Sequence, residues 1–213
     1  NQVLDHEGKP VHSELVPIPE YVRKIPERKT AATEELVFRA EAPALGLVTY
    51  FVQVLSTRSA NTADLVKSAK IAKDTRIHAA NFDLLFDASG ALSAVQLKSG
   101  QTVAFKNNFQ YYNGNSNTKV RASGAYIFRP LQQHTFSAAK LIESDLFTRE
   151  TPNGVVHEVH QKFDSYVEQV IRVSPVSDTI EFEYVVGPIP VADHQGKEIV
   201  LTYESDLVND RVF

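Results

Sequence analysis

Cysteine, methionine and tryptophan are all absent from the 213 residues. Without cysteine the chain has no disulfide framework, no thiolate zinc site and no Cys nucleophile. The compartment stays open, because a chain of this length can bury a core without covalent staples. No apolar run approaches the roughly 18 residues that a membrane span needs. Charge of one sign is missing in bulk as well: 22 basic and 26 acidic residues are interspersed, for a net charge of −4. With no basic face, neither nucleic acid nor a membrane is expected as a partner. The first twelve residues lack the basic-then-apolar pattern of a signal peptide. With no initiator methionine either, a piece of a longer precursor is expected. Asn113, Asn115 and Asn117 are followed two residues later by Asn, Asn and Lys, so they form no glycosylation sequon.

What is present reads as β throughout. "ELVFRAEAPALGLVTYFVQV" gives two apolar runs around a Pro43-Ala-Leu-Gly46 corner, a hairpin signal. Four of the ten prolines fall in the first 30 residues, which are therefore expected to be extended and edge-like. Ser56 to Lys73 is poor in aromatics and rich in small polar residues and lysine, and reads as an exposed linker. Beyond it, Phe82, Leu84 and Phe86 share one face by period-two spacing, with turns at Asp87–Gly90 and Lys98–Gln101. An Asn/Gly/Ser-rich loop follows. Val155 to Val173 then alternates through Val159, Phe163, Val167 and Ile171, and Thr179 to Val186 sets Ile180, Phe182, Tyr184 and Val186 against Glu181 and Glu183. The expected organisation is a small antiparallel β domain over residues 1–57, a linker over 58–73, and the first part of a large β-sandwich over 74–213. The chain stops in mid-pattern at Val212-Phe213, a strand expected to pair with something further on.

Local chemistry is sparse. In "HEVH" the two histidines, His157 and His160, would meet on a helix. The surrounding period is two, which sends them to opposite faces of a sheet and argues against a metal site. The paired carboxylates Glu34/Glu35, Glu181/Glu183 and Asp206/Asp210 fall on outward strand faces or in loops, where solvated surface is the default. Ser123 has no nucleophile-elbow context, since "ASGAY" is not G-x-S-x-G. Pattern alone therefore describes a mainly β chain without a self-contained active site.

Three stretches together carry a resemblance: "APALGLVTY" (Ala42 to Tyr50), "ASGAYIFRP" (Ala122 to Pro130) and "VVGPIPVADHQGKEIV" (Val185 to Val200), with "VHEVHQKF" between the last two. In this order they resemble the central and C-terminal β region of glycoside hydrolase family 38, the lysosomal-type α-mannosidases above all. The resemblance implies a retaining exo-α-mannosidase acting on N-glycan oligosaccharides, in the lysosome or outside the cell. It implies that the Asp nucleophile and the zinc, with its His and Asp ligands, lie in another domain or chain, so no catalytic or metal residue is expected here. It implies partnership with other chains of the same precursor, and a homo-oligomer is a further expectation. One site residue matches the family's motif: Tyr126 would reach a bound sugar, with Ser123 and Gly124 giving the close approach that lets it do so. Arg129 is expected as an interdomain ion-pair partner. The alternatives are a non-catalytic secreted paralogue and a free-standing carbohydrate-binding β-sandwich.

Overall fold

The structure, a computed structural model, describes residues 2–55, 66–117, 119, 121–124, 126–137, 140–164 and 166–208. Residues 58–65 of the expected linker, Ala125, Asp210 and the closing Val212-Phe213 lie outside the described residues. The chain divides into two units, Asn1–Val66 with Arg149–Thr151, and Lys67–Thr148 with Pro152–Phe213. The architecture is mainly β, built from antiparallel sheets, with a single short helix among the described residues.

The first unit holds β1 (Gln2–Leu4), β2 (Pro10–Val11), β3 (Ser13–Pro17), α1 (Glu20–Arg23), β4 (Glu34–Phe38) and β5 (Phe51–Gln53). Its strands form a three-stranded sheet, β2-β1-β5, and a β3-β4 pair. Val3, Val16 and Tyr21 are its buried apolar residues. The Pro43–Gly46 corner does turn, with the Gly46 N–H donating to the Pro43 carbonyl at 2.9 Å. The flanking runs, however, do not pair with each other as a hairpin. The first pairs with β3, in register from Ser13↔Phe38 to Pro17↔Glu34, and the second with β1. The extended, proline-rich entry supplies both partners, so non-local pairing overrides the local hairpin signal. The helical turn after Pro19 is the exception in that entry.

The second unit is a sandwich of two sheets. One contains β7 (Arg76–His78), β8 (Phe82–Phe86), β9 (Leu92–Leu97), β10 (Thr102–Asn113) and β11 (Phe136–Ser137) in the order β11-β10-β9-β8-β7, with β16 (Lys197–Ser205) also on β10. The other runs β15 (Glu181–Val186), β14 (Val167–Val173), β13 (Gly154–Phe163), β12 (Leu141–Thr151) and β6 (Val66–Lys70). Part of the stretch read as linker is thus strand β6, whose partner β12 lies some 75 residues further on. Val155 to Val173 is a hairpin rather than one strand. Asp164 takes φ 56°, and Phe163 pairs directly with Val167. Because these two residues are four apart, inward parity carries across the turn and alternation alone cannot reveal the break.

Side chains from both sheets meet between them. Ile77, Phe82, Leu84, Phe86 and Leu92 pack with Val159, Ile171 and Val173. A second apolar cluster joins Phe109, Phe163, Tyr166 and Val167, with Tyr111, Ile199 and Leu201 against it. Each fully buried aliphatic or aromatic side chain contributes about 1.5–3 kcal/mol relative to exposure. Between the two clusters lies one polar layer: Asn107, Gln161 and Gln169, with Ser144, all buried.

Candidate functional site

The sandwich carries one loop that projects a large side chain wholly into solvent. Tyr126 is 100% exposed, and its neighbours Ile127 and Leu131 are more than half exposed. The segment is not a continuous strand. It doubles back on itself, with the Gly124 N–H donating to the Ile127 carbonyl at 3.0 Å. Tyr126 thereby lies at its tip.

The base of the loop is tied at several points. The Ser123 hydroxyl donates to the Arg129 carbonyl at 2.6 Å and accepts from the Arg129 N–H at 2.8 Å. The Ser123 N–H donates to the Asn115 carbonyl, and the Asn115 N–H to the Arg129 carbonyl, each at 2.8 Å. Gly114 and Pro130 form a β-bridge where the loop leaves the end of β10. The Arg129 guanidinium donates to the Ala122 carbonyl at 2.9 Å, bracing the same loop. Within this chain, then, Arg129 serves its own loop's backbone.

Close approach within the chain falls on a glycine that the sequence did not single out. A Cβ on Gly114 would lie 3.3 Å from the Phe128 ring, 3.3 Å from Ser123 Oγ and 3.4 Å from the Gly196 carbonyl. Three segments therefore cross at Gly114: the end of β10, the tyrosine loop and the turn before β16. The Gly114 N–H donates to the Gly196 carbonyl at 2.8 Å, and the Gln195 side-chain amide donates to the Gly114 carbonyl. A Cβ on Gly124, by contrast, would meet nothing within 4 Å among the described residues. The signal for Gly114 was present in "YYNGNSN", a glycine directly after a long aromatic strand. Its crossing partners are too distant in sequence to be read locally.

The "HEVH" residues occupy β13, where His157 pairs with Val173 and His160 with Val170. His160 is held by the buried Glu158, Nε2 to Oε2 at 3.0 Å, and its ring lies 4.4 Å from that of Phe147. Arg172 Nε donates to the other Glu158 oxygen at 3.0 Å, while its Nη atoms reach Glu181 at 3.2 Å and Glu183 at 3.4 Å. Burial alone would raise the Glu158 pKa. The His160 hydrogen bond and the charge and hydrogen bond of Arg172 outweigh it and bring the carboxyl down to about 2. This is an ion network rather than an acid–base pair. Of the remaining paired acids, Asp206 accepts the Ala104 N–H at 2.9 Å. Among the described residues no three His, Asp or Glu side chains converge as a metal would require. The described residues of this chain therefore do not fit the zinc that the family resemblance implies. No helix among them is long and apolar enough to cross a membrane.

Two strand-built units, the larger with an exposed tyrosine on a tied loop, define an antiparallel β-sandwich protein. Residues 77–213 match the model of the glycosyl hydrolases family 38 C-terminal domain, and residues 11–52 that of the lysosomal alpha-mannosidase-like central domain. A lysosomal alpha-mannosidase of Cavia porcellus is 34% identical over 197 residues, covering 88% of this chain and 19% of the relative. An alpha-mannosidase of Canavalia ensiformis is 32% identical over 184 residues, covering 83% and 18%. The Homo sapiens lysosomal alpha-mannosidase is 31% identical over 220 residues, covering 96% and 20%. The chain belongs to glycosyl hydrolase family 38. It spans about one fifth of the length of the curated relatives it matches.

Proposed function

We propose that this chain is the β-rich portion of an α-mannosidase that hydrolyses terminal α-mannose from N-glycan oligosaccharides, and that Tyr126 contacts the sugar. The nucleophile and the zinc would belong to a domain or chain outside these residues, associated with this one, in the lysosome or outside the cell. The reaction would be the two-step displacement of a retaining glycosidase, whose paired carboxylates would likewise lie outside these residues.

The observation that carries the reading is the pairing of family membership over most of the chain with a fully exposed tyrosine on a hydrogen-bonded loop. A phenol suits a neutral sugar, because its ring packs on apolar C–H groups and its hydroxyl exchanges one hydrogen bond. Gly124, with nothing near its Cβ position among the described residues, leaves room for backbone of another domain to come close.

The test compares α-mannoside hydrolysis by the full-length protein and its Tyr126→Phe variant. Loss of one hydroxyl bonded to neutral sugar lowers kcat/KM by roughly five- to tenfold, or about 1 kcal/mol. The fold is untouched, since Tyr126 is exposed. An unchanged kcat/KM removes Tyr126 from the site. A full-length protein that hydrolyses no α-mannoside overturns the enzyme reading altogether.

A further inference from the structure

The end of the sandwich that carries Tyr126 carries a second tied turn. Asn113, the last residue of β10, pairs with Lys197, the first of β16, and the two strands are antiparallel. The loop leaving β10 and the turn entering β16 therefore rise side by side from one end of the same sheet. Gly114 holds both. It packs against Ser123 and Phe128 of the loop and hydrogen-bonds Gly196 and Gln195 of the turn. Ile127, Leu131 and Val191, each more than half exposed, belong to the same segments and add apolar surface to this end.

The turn is held as firmly as the tyrosine loop. Lys197, its side chain largely buried, donates from Nζ to the Pro190 carbonyl at 2.9 Å, to Asp193 Oδ2 at 2.7 Å and to the Gln195 carbonyl at 3.2 Å. The His194 N–H donates to the Val191 carbonyl at 2.9 Å and closes the turn. His194 itself is exposed and sits at φ 58°, a backbone region that glycine occupies freely and a residue with a Cβ occupies under strain. Its imidazole makes no hydrogen bond or ion pair with another described residue. Strain kept at an exposed side chain that its own fold does not use points to a ligand from outside.

We infer that His194 is a second sugar-contact residue, which binds the sugar unit next to the terminal mannose and so favours oligosaccharides over simple mannosides. The inference rests on the proposed contact between Tyr126 and the terminal mannose. Like the phenol, an imidazole offers a flat face to sugar C–H groups and ring nitrogens that exchange hydrogen bonds with hydroxyls. Within the turn the Asp193 carboxylate and the Lys197 ammonium neutralise each other, which suits a neutral sugar rather than a phosphate or an acid. Reach sets the order of the two contacts. The tyrosine loop, Asn115 to Arg129, holds its ring wholly in solvent, whereas the turn from Val191 to Gly196 is shorter and is drawn back onto β16 by Lys197. The longer loop meets the terminal sugar, and the shorter turn meets the unit to which that sugar is linked.

The experiment uses the full-length protein and two substrates, an α-linked mannose disaccharide and α-mannosyl fluoride, whose leaving group is too small to meet the turn. His194→Gly removes the ring and relaxes the backbone, so the thermal midpoint does not fall. Its loss in kcat/KM is roughly five- to tenfold larger on the disaccharide than on the fluoride, and appears chiefly in KM. His194→Asn suits the same backbone, keeps a hydrogen-bonding side chain and recovers part of that loss. Tyr126→Phe lowers kcat/KM on both substrates alike. Equal effects of His194→Gly on the two substrates, including no effect on either, overturn the inference and leave the mannosidase reading intact. A wild-type protein that hydrolyses neither substrate overturns both. A selective loss in His194→Gly beside an unchanged Tyr126→Phe removes the tyrosine contact and leaves that of His194 standing.

Discussion

Asn107 on β10 donates its side-chain amide to Gln169 Oε1 on β14 at 2.9 Å, across the interior of the sandwich. Gln169 in turn donates to Gln161 Oε1 at 2.6 Å, and Gln161 to the Gly90 carbonyl at 2.7 Å. The layer is one inward position deep. Along β13 it falls between Val159 and Phe163, and along β14 between Ile171 and Val167, so apolar clusters flank it on both sides. A register slip of two residues would set these amides against aliphatic groups, which makes the layer a register lock as well as a set of bonds.

Gln169→Leu strands the Asn107 amide and Gln161 Oε1 in the buried interior. Stability falls by about 2–4 kcal/mol, read from the urea midpoint of the full-length protein, since each unpaired buried group costs about 1–3 kcal/mol. Replacing Asn107, Gln161 and Gln169 together by Leu recovers most of the loss. The Gly90 carbonyl that Gln161 leaves keeps a donor, because Ser144 Oγ still donates to it at 2.9 Å. A single variant within about 0.5 kcal/mol of wild type would show that the amides find other partners.

Gly90 closes the β8–β9 turn beneath this layer, at φ +84°, and a Cβ there would come within 2.7 Å of Ser144 Cβ. Gly90→Ala therefore combines left-handed strain with a collision against β12, and costs about 2–4 kcal/mol. Gly100→Ala, at φ +92° with nothing within 4 Å among the described residues, carries the strain alone and costs about 1 kcal/mol. Equal thermal shifts for the two variants would mean that Ser144 moves aside freely.

Much of the sandwich was legible because period-two spacing survives burial on one face. Phe82, Leu84 and Phe86 are all buried as their spacing required, and both flanking turns form. The polar layer was legible in principle: Gln161 and Gln169 interrupt apolar positions at inward parity. What stayed hidden is set by distant pairing. β5 and β6 are short and take their identity from β1 and β12, and the apparent hairpin at Pro43–Gly46 splits between two partners. Of the candidate site, Tyr126 came from family resemblance and its exposure from the structure. The crossing at Gly114 joins residues up to 82 apart, so the local glycine signal does not reveal its partners.

Ser123 is the residue that ties the tyrosine loop, through both of its bonds to the Arg129 backbone. On the proposed function, Ser123→Ala loosens the tip and lowers kcat/KM by a few-fold without touching sugar, whereas Ser123→Thr keeps the hydroxyl and most of the activity. A double-mutant cycle with Tyr126→Ala separates positioning from a merely structural role. If Ser123 acts through Tyr126, its effect vanishes once Tyr126 is gone, giving a coupling of about 0.5–1 kcal/mol. Additive losses would sever the link.

The ion network on β13 and β14 gives the sandwich a stability that depends on pH. Glu158 is 2% exposed and its pKa is lowered to about 2 in the fold, against an ordinary value of 4.5. A carboxyl whose folded value is depressed stabilises fully above its unfolded value, and that contribution drains away as pH falls from about 4.5 towards 2. The shift corresponds to about 3 kcal/mol at most. Glu158→Gln should flatten the acid limb of the unfolding midpoint across this window while leaving the slope above pH 6 unchanged. Arg172→Met is the harsher change. It leaves the buried carboxylate with His160 alone, moves the acid limb to higher pH, and costs about 3 kcal/mol near neutrality. An acid limb identical to wild type in both variants would show that Glu158 and Arg172 do not couple in the fold.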